Sequence, residues 1–294
     1  MATALLMSLL MLACGAPVVE FTSAPEQGRE FRERDEFNQT YQLASGARVE
    51  VSSIRGPVEI VNSDSATAEV KIIRTARSRA DLEYHKIEVA LTGNGLVVRG
   101  IQEPKDRERE NIQVNHQVIL KLPRHIDLAV SSISGSVKAG DLEGQMTASS
   151  ISGSAKFGDV GGKLQLTSIS GSVEIGNVGG EARIMSVSGS LRVAQVNGSL
   201  DVSGVSGGVN VTLVSLNQEG IKIKSVSGSI ELGFKSEVNA DFVAESISGQ
   251  VYIDMPNVTR DSETRPPNVR ARIGEGGIPI TILSVSGNIR LTRS

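Results

Sequence analysis

The sequence predicts an all-β protein: a β-solenoid of stacked coils of about 18 residues, two strands each, with a β-rich N-terminal lead-in. The first observation is a phrase, Ser-x-Ser-Gly, that recurs at 18-residue steps. Its glycines are Gly135, Gly153, Gly171, Gly189 and Gly207, followed after longer steps by Gly228, Gly249 and Gly287. The second is composition, because 31 glycines and only 3% aromatic residues suit a thin, repetitive core.

The third observation is the alternation of side chains inside each unit. From Ser132 to Ser149, apolar or small residues alternate with polar ones, and the phase slips at Gly140 and again at Ser149, which predicts two chain corners. Stacking the units predicts four inward ladders of mostly aliphatic residues. They are Ile133, Ile151, Ile169, Val187, Val205; Val137, Ala155, Val173, Leu191, Val209; Ala139, Phe157, Ile175, Val193, Val211; and Leu142, Val160, Val178, Val196.

The N-terminus has the features of an export signal. Residues 1–13 are predicted to be a signal peptide, since their apolar run is too short to span a bilayer as a helix. Cys14 is the only cysteine, and Leu12-Ala13-Cys14-Gly15 resembles a bacterial lipobox. We therefore expect an exported, membrane-anchored lipoprotein of the cell envelope, on the outer-membrane or periplasmic side, with its lipid on Cys14. An ordinary secretory signal with an incidental cysteine is the alternative.

Three segments follow the signal. Residues 14–47 are charged and are predicted to be a polar tether, with a short helix across residues 29–37. Residues 48–129 form the β-rich N-terminal part. Its candidate strands are Val49-Ser52, Val58-Val61, Glu69-Thr75, Ile87-Leu91, Leu96-Gly100 and Gln113-Lys121, with a tight turn at Gly93-Asn94-Gly95 and a short helix across Ala76 to Tyr84. Residues 130–294 form the repeat solenoid, with a loop excursion at 255–277 before the last coil.

Three patterns resemble functional sites and have simpler explanations. Gly204-Val205-Ser206-Gly207-Gly208 matches the nucleophile elbow of hydrolases, but it is one more copy of the repeat, with no helical pattern after it. The histidines, His85, His116 and His125, lack metal-ligand spacing. The corner ladder Asp141, Asp159, Asn177 lacks the Gly-Gly-x-Gly-x-Asp phrase of calcium-binding repeats. We therefore expect no catalytic residues, metal or cofactor, and the net charge of −3 gives no reason to expect nucleic acid.

A column of serines is the candidate binding surface. Its members occupy the same position in successive units: Ser134, Ser152, Ser170 and Ser188. A surface with hydroxyl groups aligned in a row could bind an envelope protein or a glycan. The alternative is that serine simply suits closely spaced corners and solvated strand faces.

The phrase Leu120-Lys121-Leu122-Pro123-Arg124-His125-Ile126-Asp127-Leu128, followed by the Ser-x-Ser-Gly-Ser-Val repeats, resembles a bacterial domain family of unknown function known as "putative adhesin". The resemblance covers the chain from about Val49 to the C-terminus. It implies a β-solenoid at the cell envelope and carries over no catalytic residues, because the shared motifs specify coils.

These observations favour a non-enzymatic envelope protein that presents a rigid solenoid for adhesion, scaffolding or self-association. The alternative is an envelope sensing or regulatory module that binds a peptide or envelope component, with the loop from Arg260 to Arg272 as the first candidate site. An enzyme acting on polysaccharide would need acidic residues clustered on one face, and the sequence does not indicate such a cluster.

Overall fold

The structure is a computed structural model that describes residues 33–93, 95–102, 112–264 and 267–293. Within these ranges the regular elements are strands and one short helix. The N-terminal elements are β1 (Glu33–Gln42), β2 (Ala47–Arg55), β3 (Val58–Ser63), β4 (Thr67–Ala76), α1 (Arg79–Tyr84), β5 (His85–Thr92), β6 (Gly95–Gln102) and β7 (Val114–Pro123). The repeats supply β8 (Ile126–Ser134), β9 (Val137–Ala139), β10 (Met146–Ser152), β11 (Ala155–Phe157), β12 (Leu164–Ser170), β13 (Val173–Val178), β14 (Ala182–Ser188), β15 (Leu191–Asn197), β16 (Leu200–Ser206), β17 (Val209–Ser215), β18 (Ile221–Ser227) and β19 (Ile230–Phe234). The C-terminal elements are β20 (Ala240–Ser248), β21 (Val251–Asp254), β22 (Val258–Arg260), β23 (Val269–Ile273), β24 (Ile278–Ser286) and β25 (Ile289–Arg293).

The strands form two sheets that share one hydrophobic core. Sheet A has twelve strands in the order β1-β4-β7-β3-β9-β11-β13-β15-β17-β19-β25-β21. Sheet B has thirteen in the order β22-β23-β20-β24-β18-β16-β14-β12-β10-β8-β2-β6-β5. From β8 to β19 the chain contributes strands to sheet B and sheet A alternately. Each strand from β8 to β17 pairs in parallel with the equivalent strand of the next coil; Leu164 of β12, for example, lies opposite Ala182 of β14. The predicted β-solenoid is therefore confirmed.

The core consists of rows of aliphatic side chains, one from each coil. Three of the four predicted ladders, those that begin at Val137, Ala139 and Leu142, are buried along their whole length. Sheet B contributes two further buried rows: Met146, Leu164, Ala182, Leu200, Ile221, and Ala148, Leu166, Ile184, Val202, Ile223. Each residue therefore packs against its counterparts in the coils above and below, which is why a coil needs neighbours.

The fourth ladder, from Ile133 to Val205, lies outside the described side chains. The same position, two residues before the glycine, is described in three later coils. It holds exposed aliphatic residues there: Val226, Ile247 and Val285. The serine just before each of them is buried: Ser225, Ser246 and Ser284. In these three coils the aliphatic residue before the Ser-Gly pair does not point inward, because buried and exposed side chains keep alternating along the strand and the preceding serine takes the buried position.

The glycine of each phrase lies at the corner where sheet B passes into sheet A. At Gly171 the backbone has φ of +122°, which L-residues with a side chain rarely adopt. A Cβ on Gly171 would overlap the carbonyl oxygen of Gly153 in the adjacent coil. The glycine is therefore required by contact between backbones at the corner.

At the C-terminal end, the coils do not follow the order of the chain. β24 lies between β18 and β20, and β25 lies between β19 and β21, so the last coil is inserted between two earlier ones. The excursion at residues 255–277 contains β22 and β23, which pair antiparallel with each other and extend sheet B beyond β20. The proposed ligand loop from Arg260 to Arg272 therefore includes part of a strand pair that caps the sheet.

The N-terminal end is capped in a similar way. The coil made of β2 and β3 is covered by β6 and β7, and the antiparallel strands β4, β1 and β5 close the sheet edges. The prediction of a tether up to residue 47 and of a helix across residues 29–37 is wrong from residue 33 onwards, where β1 pairs with β4 over ten residues. The physical reason is that Phe37 and Tyr41 pack against the core, while Arg34 and Glu36 occupy the solvent face and Asp35 pairs with Arg74. The six candidate strands and the short helix are confirmed, and Ser78 caps α1 by accepting a hydrogen bond from the Asp81 amide at 3.2 Å.

Candidate functional site

An open groove lies on the outer face of sheet B, near the C-terminal end. Its volume is about 670 Å³. One row of it crosses five neighbouring strands in register: Met185, Ser203, Lys224, Leu283 and Glu245. A second row contains the exposed aliphatic residues Val226, Val285 and Ile247. The groove thus has apolar walls, and small residues, Ser203 and Gly204, form part of its lining.

The bend before each glycine produces the apolar row. In β18, the buried Ser225 donates from its Oγ to the carbonyl of Ser227 at 3.4 Å, and Ser284 does the same to Ser286 at 3.3 Å. These two serines satisfy their hydroxyls within the bend, whereas the buried hydroxyl of Ser246 has no hydrogen-bond partner. In all three strands the serine faces inward, so the following aliphatic residue faces solvent. Ile247 is 77% exposed and Met185 is 53% exposed. Large apolar groups so exposed and so close together are unusual on a soluble surface unless something binds there.

Two charged side chains stand in the groove. Lys224 and Glu245 lie in the same row on either side of Leu283. The groove ends at the cap, where Asn268 accepts a hydrogen bond from the Ser246 amide at 3.0 Å. The arrangement can hold apolar side chains in the middle and a polar or charged group of either sign at the edges.

Three residues of the predicted serine column are stacked in register. Register pairs Ser152 with Ser170 and Ser170 with Ser188, while Ser134 aligns with Arg55 of β2. Ser134 is exposed and the other three are half-buried beside the corner glycines. All four already interact with other groups. The column lies next to the corner, outside the set of residues that line the groove.

Sequence reasoning missed the groove. A signal is present, because an aliphatic residue precedes each Ser-Gly pair in unit after unit, but the predicted inward ladder covers only Ile133 to Val205 and assigns no face to Val226, Ile247 or Val285. A surface row and a buried row have the same period in a solenoid. They differ only in which face of the strand the residue occupies at the bend, inward or outward.

The acidic corner ladder has a structural role. Asp141 accepts a hydrogen bond from the Asp159 amide at 3.0 Å, and Asp159 accepts one from the Asn177 amide at 2.8 Å. The hydrogen bond from the Asp159 amide is the main effect that lowers the pKa of the Asp141 carboxyl; burial opposes it, and Arg124 lowers the pKa further. Each carboxylate therefore joins its coil to the next one. No group of three or more side chains suited to a metal ion occurs in the described part of the chain.

The Gly-x-Ser-x-Gly segment from Gly204 to Gly208 passes from β16 to β17, both strands. A nucleophile elbow needs a helix after the serine, and here a strand follows. Ser206 instead continues the serine column, paired in register with Ser188 and Ser227. The segment is a corner of the solenoid.

Two histidines are buried side by side at the N-terminal end. The ring centroids of His85 and His116 lie 6.0 Å apart. His116 is 4% exposed. Burial, reinforced by His85 and then by Arg74, lowers the pKa of His116 from 6.5 to about 4. The imidazole of His116 is therefore neutral in the folded protein near pH 7.

We expect the protein to lose stability as the pH falls from about 6.5 towards 4. In that window the unfolded chain takes up a proton on His116 that the folded chain does not, so the free energy of unfolding decreases, by at most about 3 kcal/mol for this group. Urea unfolding at several pH values measures the slope. His116→Phe should flatten it, whereas His125→Gln, which removes a histidine that is 69% exposed, controls for losing a histidine as such. An unchanged slope in His116→Phe would contradict the assignment.

The predicted lipid site, Cys14, and the signal peptide lie outside the described residues. Among the residues that are described, no helix combines the length and hydropathy that crossing a membrane requires.

A family model and one solved structure support the fold. A protein family described as Toastrack DUF4097 matches residues 45–292. A crystal structure of a "putative adhesin" from Bacteroides fragilis NCTC 9343 is similar over 87% of this chain and 97% of that one, with a TM-score of 0.50 and 14% identity. Another, of a "putative adhesin" from Parabacteroides distasonis ATCC 8503, has a TM-score of 0.48 and 14% identity over 87% and 97% of the two chains. A search of curated proteins finds no significant match.

Proposed function

The chain belongs to the Toastrack DUF4097 family, and from that premise we propose that it is a non-enzymatic protein of the cell envelope that works by binding. The groove on sheet B is its binding surface, and adhesion or scaffolding is the outcome. The lipid on Cys14 attaches the chain to the membrane. The observation that carries the proposal is the exposed apolar row Val226, Val285 and Ile247 on a rigid sheet.

The ligand that fits this groove is an apolar segment of another envelope protein. Burying apolar side chains of a partner against the aliphatic walls would stabilise the complex by about 25 cal/mol per Å² of apolar surface removed from water. Lys224 and Glu245 can form ion pairs with charged groups at the rim of such a contact. A glycan would favour aromatic platforms and many hydrogen-bond donors, whereas the groove is lined by aliphatic and small residues. Charge complementarity then sets which partner is accepted.

A photo-crosslinking amino acid placed at Val285 tests the proposal in the native organism. We expect adducts of a defined protein size in the membrane fraction, with Ile247→Asp lowering their yield at least about tenfold because a carboxylate would have to be buried against apolar side chains. A photo-crosslinker at Val61, an exposed aliphatic residue of sheet A, is the matched control and should give no such adduct.

Three results would count against parts of the proposal. Equal adducts from Val61 and Val285 would mean that the groove is not the binding surface. Adducts that glycosidases remove would make the ligand a glycan. Recovery of the native chain and Cys14→Ser alike in the soluble fraction would exclude the lipid anchor.

A further inference from the structure

The C-terminal end of the solenoid is stepped. Sheet B continues past β20 through β23 and β22, whereas sheet A stops at β21. β20 and β21 belong to the same coil, so sheet B projects two strands further than sheet A. At about 4.8 Å per strand the step is about 10 Å high.

β21 has an unused edge. Within the described residues it pairs only with β25, through the register of Val251 with Ile289 and Ile253 with Leu291. The Ile289 amide donates to the Gln250 carbonyl at 2.9 Å, and in a parallel ladder the bonding residues alternate. The backbone N–H and C=O groups of Val251 and Ile253 therefore point away from β25, as they would to receive another strand.

The edge has little of the usual protection, since β21 is four residues long and only its last residue, Asp254, is charged. Exposed edge strands normally carry charged side chains, proline or a covering segment, which block association. At the opposite end, the outermost strand of sheet A is β1, which begins Glu-Arg-Asp-Glu. β21 begins Val-Tyr-Ile, and its Val251 and Ile253 side chains are only half-buried against the core.

A recess of about 530 Å³ lies between this edge and the cap. It is lined by residues 249–252 on one side and by Arg260, Pro267 and Val269 of the cap on the other, with Ile247 between them. β22, the outermost strand of the cap, has a free edge of its own, since it pairs only with β23 among the described residues.

We propose that two copies of this chain join end to end through the step, related by a two-fold axis perpendicular to the stack. The β22–β23 cap of each copy fills the recess of the other, and β22 adds to the partner's β21. The projection and the recess are both two strands high, so the surface is complementary to itself, as a two-fold interface requires. A single peptide strand bound to β21 would fill only one of the two strand positions of the step, and its own outer edge would again be unpaired.

This inference concerns the end of the stack and stands independently of the groove. Joining two copies would place two sheet-B grooves on one rigid body, and paired sites strengthen attachment to a repeated ligand by avidity.

Light scattering on the full chain carrying Cys14→Ser tests the proposal. We expect a mass of twice 31.1 kDa at micromolar concentration. Val251→Pro removes an outward N–H without touching the ladder to β25, and should raise the dissociation constant at least about tenfold. Val251→Ala removes the side chain but keeps the amide, and should remain dimeric. A monomer at all concentrations, or equal dimerisation of both variants, overturns the proposal.

A second measurement does not depend on how Val251→Pro folds. In the Cys14→Ser background, a Thr259→Cys chain mixed with a Tyr252→Cys chain should be joined by a thiol crosslinker with a reach of about 10 Å. Thr259→Cys mixed with Arg192→Cys, a mid-stack position on sheet A, should not. Crosslinking of equal yield in both mixtures would refute pairing of β22 with β21.

Discussion

Replacing Gly207 with alanine is expected to destabilise the protein by about 3–5 kcal/mol, a large fraction of the stability of an ordinary domain. Gly207 has φ of +122°, and a Cβ there would overlap the backbone carbonyl of Gly189 in the adjacent coil. The backbone cannot move aside, because its neighbours are held by the ladders on both sides. Relief would require two coils to separate at the corner, which breaks hydrogen bonds in both sheets.

The adjacent residue provides the control. Gly208 has no positive φ, and the nearest atom to a Cβ there would be 3.9 Å away. Gly208→Ala should therefore change the free energy of unfolding by less than about 1 kcal/mol. Urea unfolding followed by circular dichroism compares the two variants. Similar stabilities for Gly207→Ala and Gly208→Ala would show that close backbone contact at the corner does not require glycine.

Ending the chain after Gly277 should unfold the C-terminal part of the solenoid. The truncation removes β24 and β25 from between two other coils, and with them four fully buried side chains: Ile280, Ile282, Ile289 and Leu291. At about 1.5–3 kcal/mol each, these contribute roughly 6–12 kcal/mol. The facing strands β18 and β20 would be left with exposed apolar rows.

Limited proteolysis with mass spectrometry measures this effect. We expect rapid cleavage between residues 235 and 277 in the truncated chain, while the coils before β18 stay protected. A chain that ends at Thr292 keeps Leu291 and should resist like the native protein. If the truncated chain resists equally, β20 must pair directly with β18, and the inserted coil is dispensable.

The repeated part of the fold could be predicted because its period is constant. A step of 18 residues sets which residues pair, so Leu164 lies beside Ala182 and the ladders from Val137, Ala139 and Leu142 follow. The same regularity hides the order of the coils. Every coil presents similar aliphatic rows to both neighbours, so the sequence does not show that β24 belongs between β18 and β20.

Two surface features do not follow from local composition. β1 is rich in charge, and only Phe37 and Tyr41 indicate that one of its faces packs on the core; Asp35 lies on that same face and pairs with Arg74. The groove depends on which face Val226 and Ile247 occupy after the bend, and alternation alone cannot decide this once the chain turns a corner. Both features are surfaces, where the hydrophobic pattern is weakest.

The intercalated last coil also affects when the molecule can finish folding. Residues 278–291 leave the ribosome after β20 and β21, yet they lie between that coil and the preceding one. Pairing of coils in the order of synthesis therefore stops at β19 until residues 278–291 are available. Until then, β18 and β20 each lack the neighbouring strand that they pair with in the folded protein.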